Sequence, residues 1–198
     1  MLGTSNIYFI QSKKGKMELK YKLLNHPFYQ DWEMGKISAG QLSKYAASYR
    51  EFIERMPSFW SSISVSFGND LAEIIAEETN HIELWDRWAY LLSKDKYFPS
   101  MQEIVNEFDK MTPSELLGAL HSFEVQQPEV ALTKKNGLLR HYGFERTDLL
   151  YFDEHINEQK HIDKALEIAA VSADRIQFEN GLARGSELLY RGLDLFLE

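Results

Sequence analysis

Glutamate and histidine recur in this chain at positions where an amphipathic helix should carry only apolar side chains. Ile74, Glu77, His81, Leu84 and Trp88 are spaced 3, 4, 3 and 4 residues apart, so they share one helical stripe whose apolar members turn it towards a core. Leu117, Leu120, Glu124, Gln127, Ala131, Lys134 and Leu138 form a second stripe, interrupted by Glu124 and Lys134. Phe152, His155, Gln159, Ile162 and Leu166 form a third, which contains His155 and is flanked by Glu158 and His161. An ionised carboxylate in an apolar interior is costly unless it is paired or bound to metal. Carboxylates and imidazoles turned inward from several helices are how a bundle builds a di-iron or di-manganese site. A buried polar network with Lys134 as its cation would use the same residues, since buried polar groups are ordinarily hydrogen-bonded. Spacing alone leaves both readings standing. Glu-x-x-His occurs at Glu78–His81 and Glu158–His161. Glu78 lies off the stripe centre, which makes Glu77 the first choice on its helix.

The elements that must hold these residues read as helices throughout. Ser38 with Gln41 forms a capping box before a long helix whose apolar positions Leu42, Tyr45, Tyr49, Phe52, Met56, Phe59 and Ile63 recur at steps of 3 or 4. Pro57 should kink it. Asn69 or Asp70 caps a helix predicted to run to Leu92. Thr112-Pro113-Ser114-Glu115 is the clearest start signal, opening a helix to Tyr142 with a kink at Pro128. Further helices are expected over Thr147–Val171 and Ala173–Leu197. No segment alternates as a strand would, and the short connections imply an all-α, up-and-down bundle.

Bulk properties narrow the function. The 198 residues suit one domain, expected over 17–198 behind a loose leader at 1–16. In that leader Ile7–Ile10 precedes Lys13-Lys14-Gly15-Lys16, the reverse of signal-peptide order. A net charge of −8 argues against nucleic acid and anionic membranes as partners. No apolar run approaches the roughly 20 residues of a membrane span. The lack of cysteine removes disulfides, thiolate metal sites and cysteine nucleophiles, and suits a cytoplasmic protein.

Several segments together resemble the family of the chlamydial protein associating with death domains, within the TenA/PqqC-like, heme-oxygenase-like proteins. They are His26-Pro27-Phe28-Tyr29-Gln30-Asp31-Trp32, Leu42-Ser43-Lys44-Tyr45-Ala46, Glu77-Glu78-Thr79-Asn80-His81, Ser122-Phe123-Glu124 continuing to Lys134 and Gly137-Leu138, and Tyr151-Phe152-Asp153-Glu154-His155. The resemblance spans nearly the whole chain and implies a heme-oxygenase-like helical bundle with two metal ions, iron or mixed iron and manganese, using O2 and a reductant. It implies metal ligation by Glu77, His81, Glu124 and His155. It also implies para-aminobenzoate formation, with Tyr29 and Tyr45 as candidate ring sources and Lys134 as a required amine.

The chain departs from the family pattern in two places. Glu77 and His81 stand only four residues apart. The family's last-helix pattern, His-x-x-x-Asp-x-x-His, meets Gln159 and Ile162 when counted from His155. A local shift brings in Glu158 and His161 instead, although on an ideal helix His155, Glu158 and His161 span about 120°. Glu154, Glu158 and His161 are tighter but leave His155 aside. One metal or two, and the register after His155, stay open at this level. So does the substrate: the protein's own tyrosine, or a separate small molecule such as an amino acid or fatty acid. A non-catalytic interaction protein is the alternative of a different class, and a homodimer is an open option. The missing cysteine argues against thiaminase activity of the TenA type, and a cofactor-free PqqC-like oxidase is a weak third reading.

Overall fold

Prolines and capping side chains decide where each helix starts and stops. The structure, a computed structural model, describes residues 19–92 and 98–197, and the leader expected over 1–16 lies outside them. In chain order the α-helices are α1 (Pro27–Glu33), α2 (Ala39–Ile53), α3 (Met56–Phe67), α4 (Ala72–Tyr90), α5 (Gln102–Asp109), α6 (Pro113–Glu124), α7 (Gln127–His141), α8 (Leu150–Ile156), α9 (Gln159–Val171) and α10 (Arg175–Gly192). Short 3-10 turns precede α1 and α8 and follow α10. There is no strand among the described residues, and the chain is an all-α bundle.

Both capping boxes read from the sequence are present. Gln41 N–H donates to Ser38 Oγ at 3.2 Å, and Ser38 N–H donates to the Gln41 side chain at 3.0 Å. Thr112 and Glu115 make the same reciprocal pair before α6. Neither expected cap, Asn69 nor Asp70, stands at the N-cap of α4, which is Leu71 and offers no capping side chain; Asp70, one residue earlier, accepts from Ala72 N–H at 3.1 Å.

The two expected kinks are full interruptions. Pro57 has no N–H for the Ile53 carbonyl and its ring crowds that oxygen, so α2 stops at Ile53 and α3 restarts at Met56. Pro128 does the same to α6, whose last residue is Glu124. A third break has no proline: the helix expected over Thr147–Val171 divides at Asn157–Glu158, where Glu158 has φ −80° and ψ 41°. Helix α5 was not anticipated from the sequence. It buries Val105 and Phe108, and Phe108 stacks on Phe59 with ring centroids 5.7 Å apart.

The core is aromatic, with Trp32, Trp60, Trp85 and Trp88 fully buried. Helix α4 packs against α2, α3 and α8, and α9 packs against α6, so the helices carrying the inward glutamates and histidines are neighbours. Helices α6 and α10 approach closely because glycines line the contact: a Cβ on Gly181 would lie 1.9 Å from the Glu115 carbonyl oxygen, and one on Gly118 2.0 Å from that of Phe178. Both obstacles are backbone and cannot rotate away. Gly181→Ala should therefore lower the free energy of unfolding by about 1–3 kcal/mol. Urea unfolding reads this directly, and an unchanged midpoint would contradict the packing.

Candidate metal centre

Four helices and one break converge on a single buried cluster. Helix α4 contributes Glu78 and His81, α6 contributes Glu124 at its final turn, α8 contributes His155, and α9 contributes His161. Glu158 lies in the break between α8 and α9. All six are buried.

The break changes the geometry after His155. On one unbroken helix His155 and His161 would diverge around the axis, but the turn at Asn157–Glu158 brings both imidazoles to Glu158. His155 Nε2 lies 3.4 Å from Glu158 Oε2, and His161 Nδ1 lies 3.0 Å from Glu158 Oε1. Glu154 is exposed, and so is Gln159. Neither takes part.

The donors fall into two groups, His81 with His155 and Glu158, and Glu78 with Glu124, Glu158 and His161. Within each group one atom per residue lies within 4.8 Å of every other. Glu158 belongs to both. Several of these atoms lack hydrogen-bond partners: both oxygens of Glu124, Glu158 Oε2 and His161 Nδ1. His161 Nδ1 lies close to three carboxylates, yet no pair of atoms is aligned as a hydrogen bond. Such convergence without pairing fits atoms directed at a common point. Three carboxylates and three imidazoles, with no sulfur, are a donor set that iron and manganese take.

Burial, reinforced by Glu158 and Glu78, pushes the Glu124 carboxyl up to about 8. Burial works against ionisation of Glu78 too, but His161 close to its carboxylate and His81 hydrogen-bonded to it bring it down to about 2. His161 is desolvated, yet Glu124, Glu158 and Glu78 together hold it protonated. Without a metal, that imidazolium is the cluster's main cation.

Glu77 requires a correction. It was the first choice on its helix, but its side chain is 40% exposed and outside both groups, whereas that of Glu78 is 3% exposed and inside. The buried stripe on α4 is Ile74, Glu78, His81, Trp85 and Trp88. Its steps of 4, 3, 4 and 3 fit a helix as well as the expected 3, 4, 3 and 4. The tie is broken by size: burying Trp85 instead of Leu84 removes more apolar surface from water, and the rotation that does so carries Glu78 inward. The neighbouring tryptophan was the signal for Glu78.

Tyr29, Tyr45 and Lys134 meet in a second buried group. Lys134 Nζ donates to Tyr45 Oη at 2.7 Å, and the Tyr29 and Tyr45 hydroxyls are hydrogen-bonded at 3.0 Å. The amine also lies 4.9, 5.2 and 5.3 Å from the ring centroids of Tyr29, Tyr45 and Tyr49. Its partners are phenols and rings, not the Glu124 carboxylate, so Lys134 is not the cation of the acidic cluster. Burial brings the amine down to about 7 and raises the phenols of Tyr29, Tyr45 and Tyr49. Trp32 Nε1–H donates to the Lys134 carbonyl at 3.1 Å and steadies α7 there. Between the two groups stand Tyr151, 4.2 Å from the His155 ring, and Trp85, 4.8 Å from Tyr151 and 5.8 Å from Tyr45.

Comparison with known proteins bears on this geometry. Residues 58–187, a span that includes every donor of the acidic cluster, match the family described as iron-containing redox enzymes. The chain belongs to that family. Residues 14–92 also match the TENA/THI-4/PQQC family. A relative from Chlamydia muridarum (strain MoPn / Nigg), named 4-aminobenzoate synthase, is 32% identical over 203 residues, covering 89% of this chain and 85% of its own length. One of the same name from Chlamydia trachomatis serovar D is 29% identical, covering 89% and 87%. Another from Nitrosomonas europaea is 30% identical, covering 66% and 65%.

The buried amine has a measurable signature. Lys134 is depressed from its usual 10.5 to about 7 in the folded chain, so between those values the unfolded chain binds the extra proton and stability rises with pH. The contribution is complete above the unfolded value and is lost as pH falls through the folded one. Wild-type stability should therefore gain up to about 1.4 kcal/mol per pH unit over Lys134→Met between pH 7 and 9. Parallel slopes in urea titrations of the two proteins would contradict a buried neutral amine.

Proposed function

We propose that the chain forms 4-aminobenzoate by O2-dependent oxidation at a pair of metal ions, with one of its own tyrosines supplying the ring and the Lys134 amine, which lies against the Tyr29 and Tyr45 rings, the nitrogen that replaces the phenol oxygen. The observation that carries the two-metal part is Glu158, common to both groups of converging donors. His81, His155 and Glu158 would hold one ion, and Glu78, Glu124, Glu158 and His161 the other. Iron is supported by the family match, and the same oxygen and nitrogen donors suit manganese. Bound there, the pair would supply redox equivalents to O2, with a reductant restoring them.

The rest is work for the chain's own side chains. Tyr29 and Tyr45 are buried phenols, held neutral by burial. A phenol that loses an electron becomes a strong acid, and Lys134 Nζ, 2.7 Å from Tyr45 Oη and brought down to about 7 by burial, would in its neutral form be a base placed to take that proton. Tyr29 Oη reaches the same base through Tyr45 Oη. The rings of Phe28, Trp32 and Trp85 around Tyr45 exclude water from the oxidised ring. The name shared by the relatives supports the product, and the complete burial of Tyr29 and Tyr45 favours the protein's own ring over a diffusing substrate.

Protein loaded with iron under anaerobic conditions, then given O2 and reductant without any added substrate, should release 4-aminobenzoate at no more than one molecule per chain. Tyr29→Phe and Tyr45→Phe should retain their metals and lose most of the product, and Lys134→Met should lower the yield by about a hundredfold. Yields far above one per chain would assign an external substrate. Two bound metals with no product would sink the reading.

A further inference from the structure

One acidic residue stands outside the donor cluster and still touches it. Glu77 Oε2 lies 3.0 Å from His161 Nε2, and Glu77 Oε1 accepts from Lys160 Nζ at 2.9 Å. Lys160 Nζ also reaches Glu73 Oε1 at 2.6 Å. The two nitrogens of His161 thus face in opposite directions. Nδ1 looks inward, 3.0, 3.3 and 3.7 Å from Glu158, Glu78 and Glu124. Nε2 looks outward to Glu77. A carboxylate that accepts from Nε2–H keeps the proton on that nitrogen and leaves the Nδ1 lone pair for a cation.

His155 is anchored in the same way by a different partner. Its Nδ1–H donates to the Tyr151 carbonyl at 2.8 Å, which turns Nε2 inward. That acceptor is main chain within α8 and buried. The anchor of His161 is a side chain 40% exposed, held by a lysine 44% exposed. Beyond it lies a cleft of about 600 Å³ lined by Asp70, Glu73, Lys160, Asp163 and Glu167 among others. Exposed ion pairs are individually weak, so Lys160 and Glu77 can swing aside at little cost. While closed they link His161 to the cleft, whose rim sets the carboxylates of Asp70, Glu73, Asp163 and Glu167 against the amines of Lys160 and Lys164.

We propose that Glu77 is a positioning residue, not a ligand, and that Glu73, Lys160 and Glu77 form a latch that fixes His161 and governs exchange of divalent cations between the cleft and the buried cluster. The proposal rests on the two-metal reading above.

The test uses the full chain loaded with Mn2+, reading stoichiometry, affinity and the rate of release into excess chelator. Lys160→Met should bind the wild-type number of ions and release them about tenfold faster, and Glu77→Ala should weaken binding by about 10–100-fold. Glu77→Gln, whose amide oxygen still accepts from His161 Nε2–H, should stay within a few-fold of wild type in affinity. Both side chains are partly exposed, and far-UV circular dichroism would confirm that the variants fold. If Glu77→Gln fails as completely as Glu78→Gln, then Glu77 is a ligand and the proposal falls. If Glu77→Ala and Lys160→Met both match wild type, the chain of contacts is only a surface ion-pair network and the proposal also falls. Wild-type protein that takes up no cation would overturn the metal reading itself, a separate result from normal loading with unaltered variants.

Discussion

Glu78, Glu124 and Glu158 sit together in an interior from which water is excluded, and their mutual repulsion is the constraint around which this bundle is organised. Desolvation penalises each charge separately, and bringing the three together penalises them again. Neighbouring carboxyls are consequently driven in opposite directions, Glu124 up to about 8 and Glu78 down to about 2. A protonated His161 relieves part of the strain. It leaves both Glu124 oxygens and one of Glu158 without partners, a condition seldom retained in a buried site unless something else is meant to fill it. Divalent cations held there would satisfy all of these atoms together, in keeping with membership of a family described as iron-containing redox enzymes.

The backbone features follow from delivering those side chains. Pro128 ends α6 at Glu124, and the break at Asn157–Glu158 turns α9 so that Glu158 stands between His155 and His161. The α6–α10 contact is drawn tight by Gly118, Gly181 and Gly185. The tyrosine–lysine group forms a separate region with a different logic. There the charge is suppressed: Lys134 approaches neutrality and the phenols resist ionisation. Tyr151 and Trp85 fill the space between the two regions with aromatic rings in contact. A highly charged centre and a dry, neutral, oxidisable one thus share a core without sharing an ion pair.

Much of this was legible in the sequence because helical periodicity is strong over α2, α4, α6 and α7, and capping boxes at Ser38 and Thr112 fix two starts without ambiguity. His81, Glu124 and His155 interrupt apolar stripes and could be singled out on that ground. Glu78 was weighed and set aside because steps of 3 and 4 cannot tell two adjacent stripes apart, and only the volume of Trp85 against Leu84 does. The junction at Asn157–Glu158 left no mark of the usual kind: neither proline nor glycine stands there, and the geometry arises from tertiary packing. Helix α5 escaped notice because eight residues with two buried side chains give too short a pattern. The pairing of Lys134 with Tyr45 joins residues far apart in sequence and belongs to the fold, not to any local signal.

The most direct measurement is anomalous diffraction from crystals of protein loaded with iron or manganese. Two peaks a few ångströms apart, with Glu158 between them, His81 and His155 at one and Glu78, Glu124 and His161 at the other, are what the account predicts. A single peak away from Glu158, or no peak within the cluster of a fully loaded crystal, would contradict it.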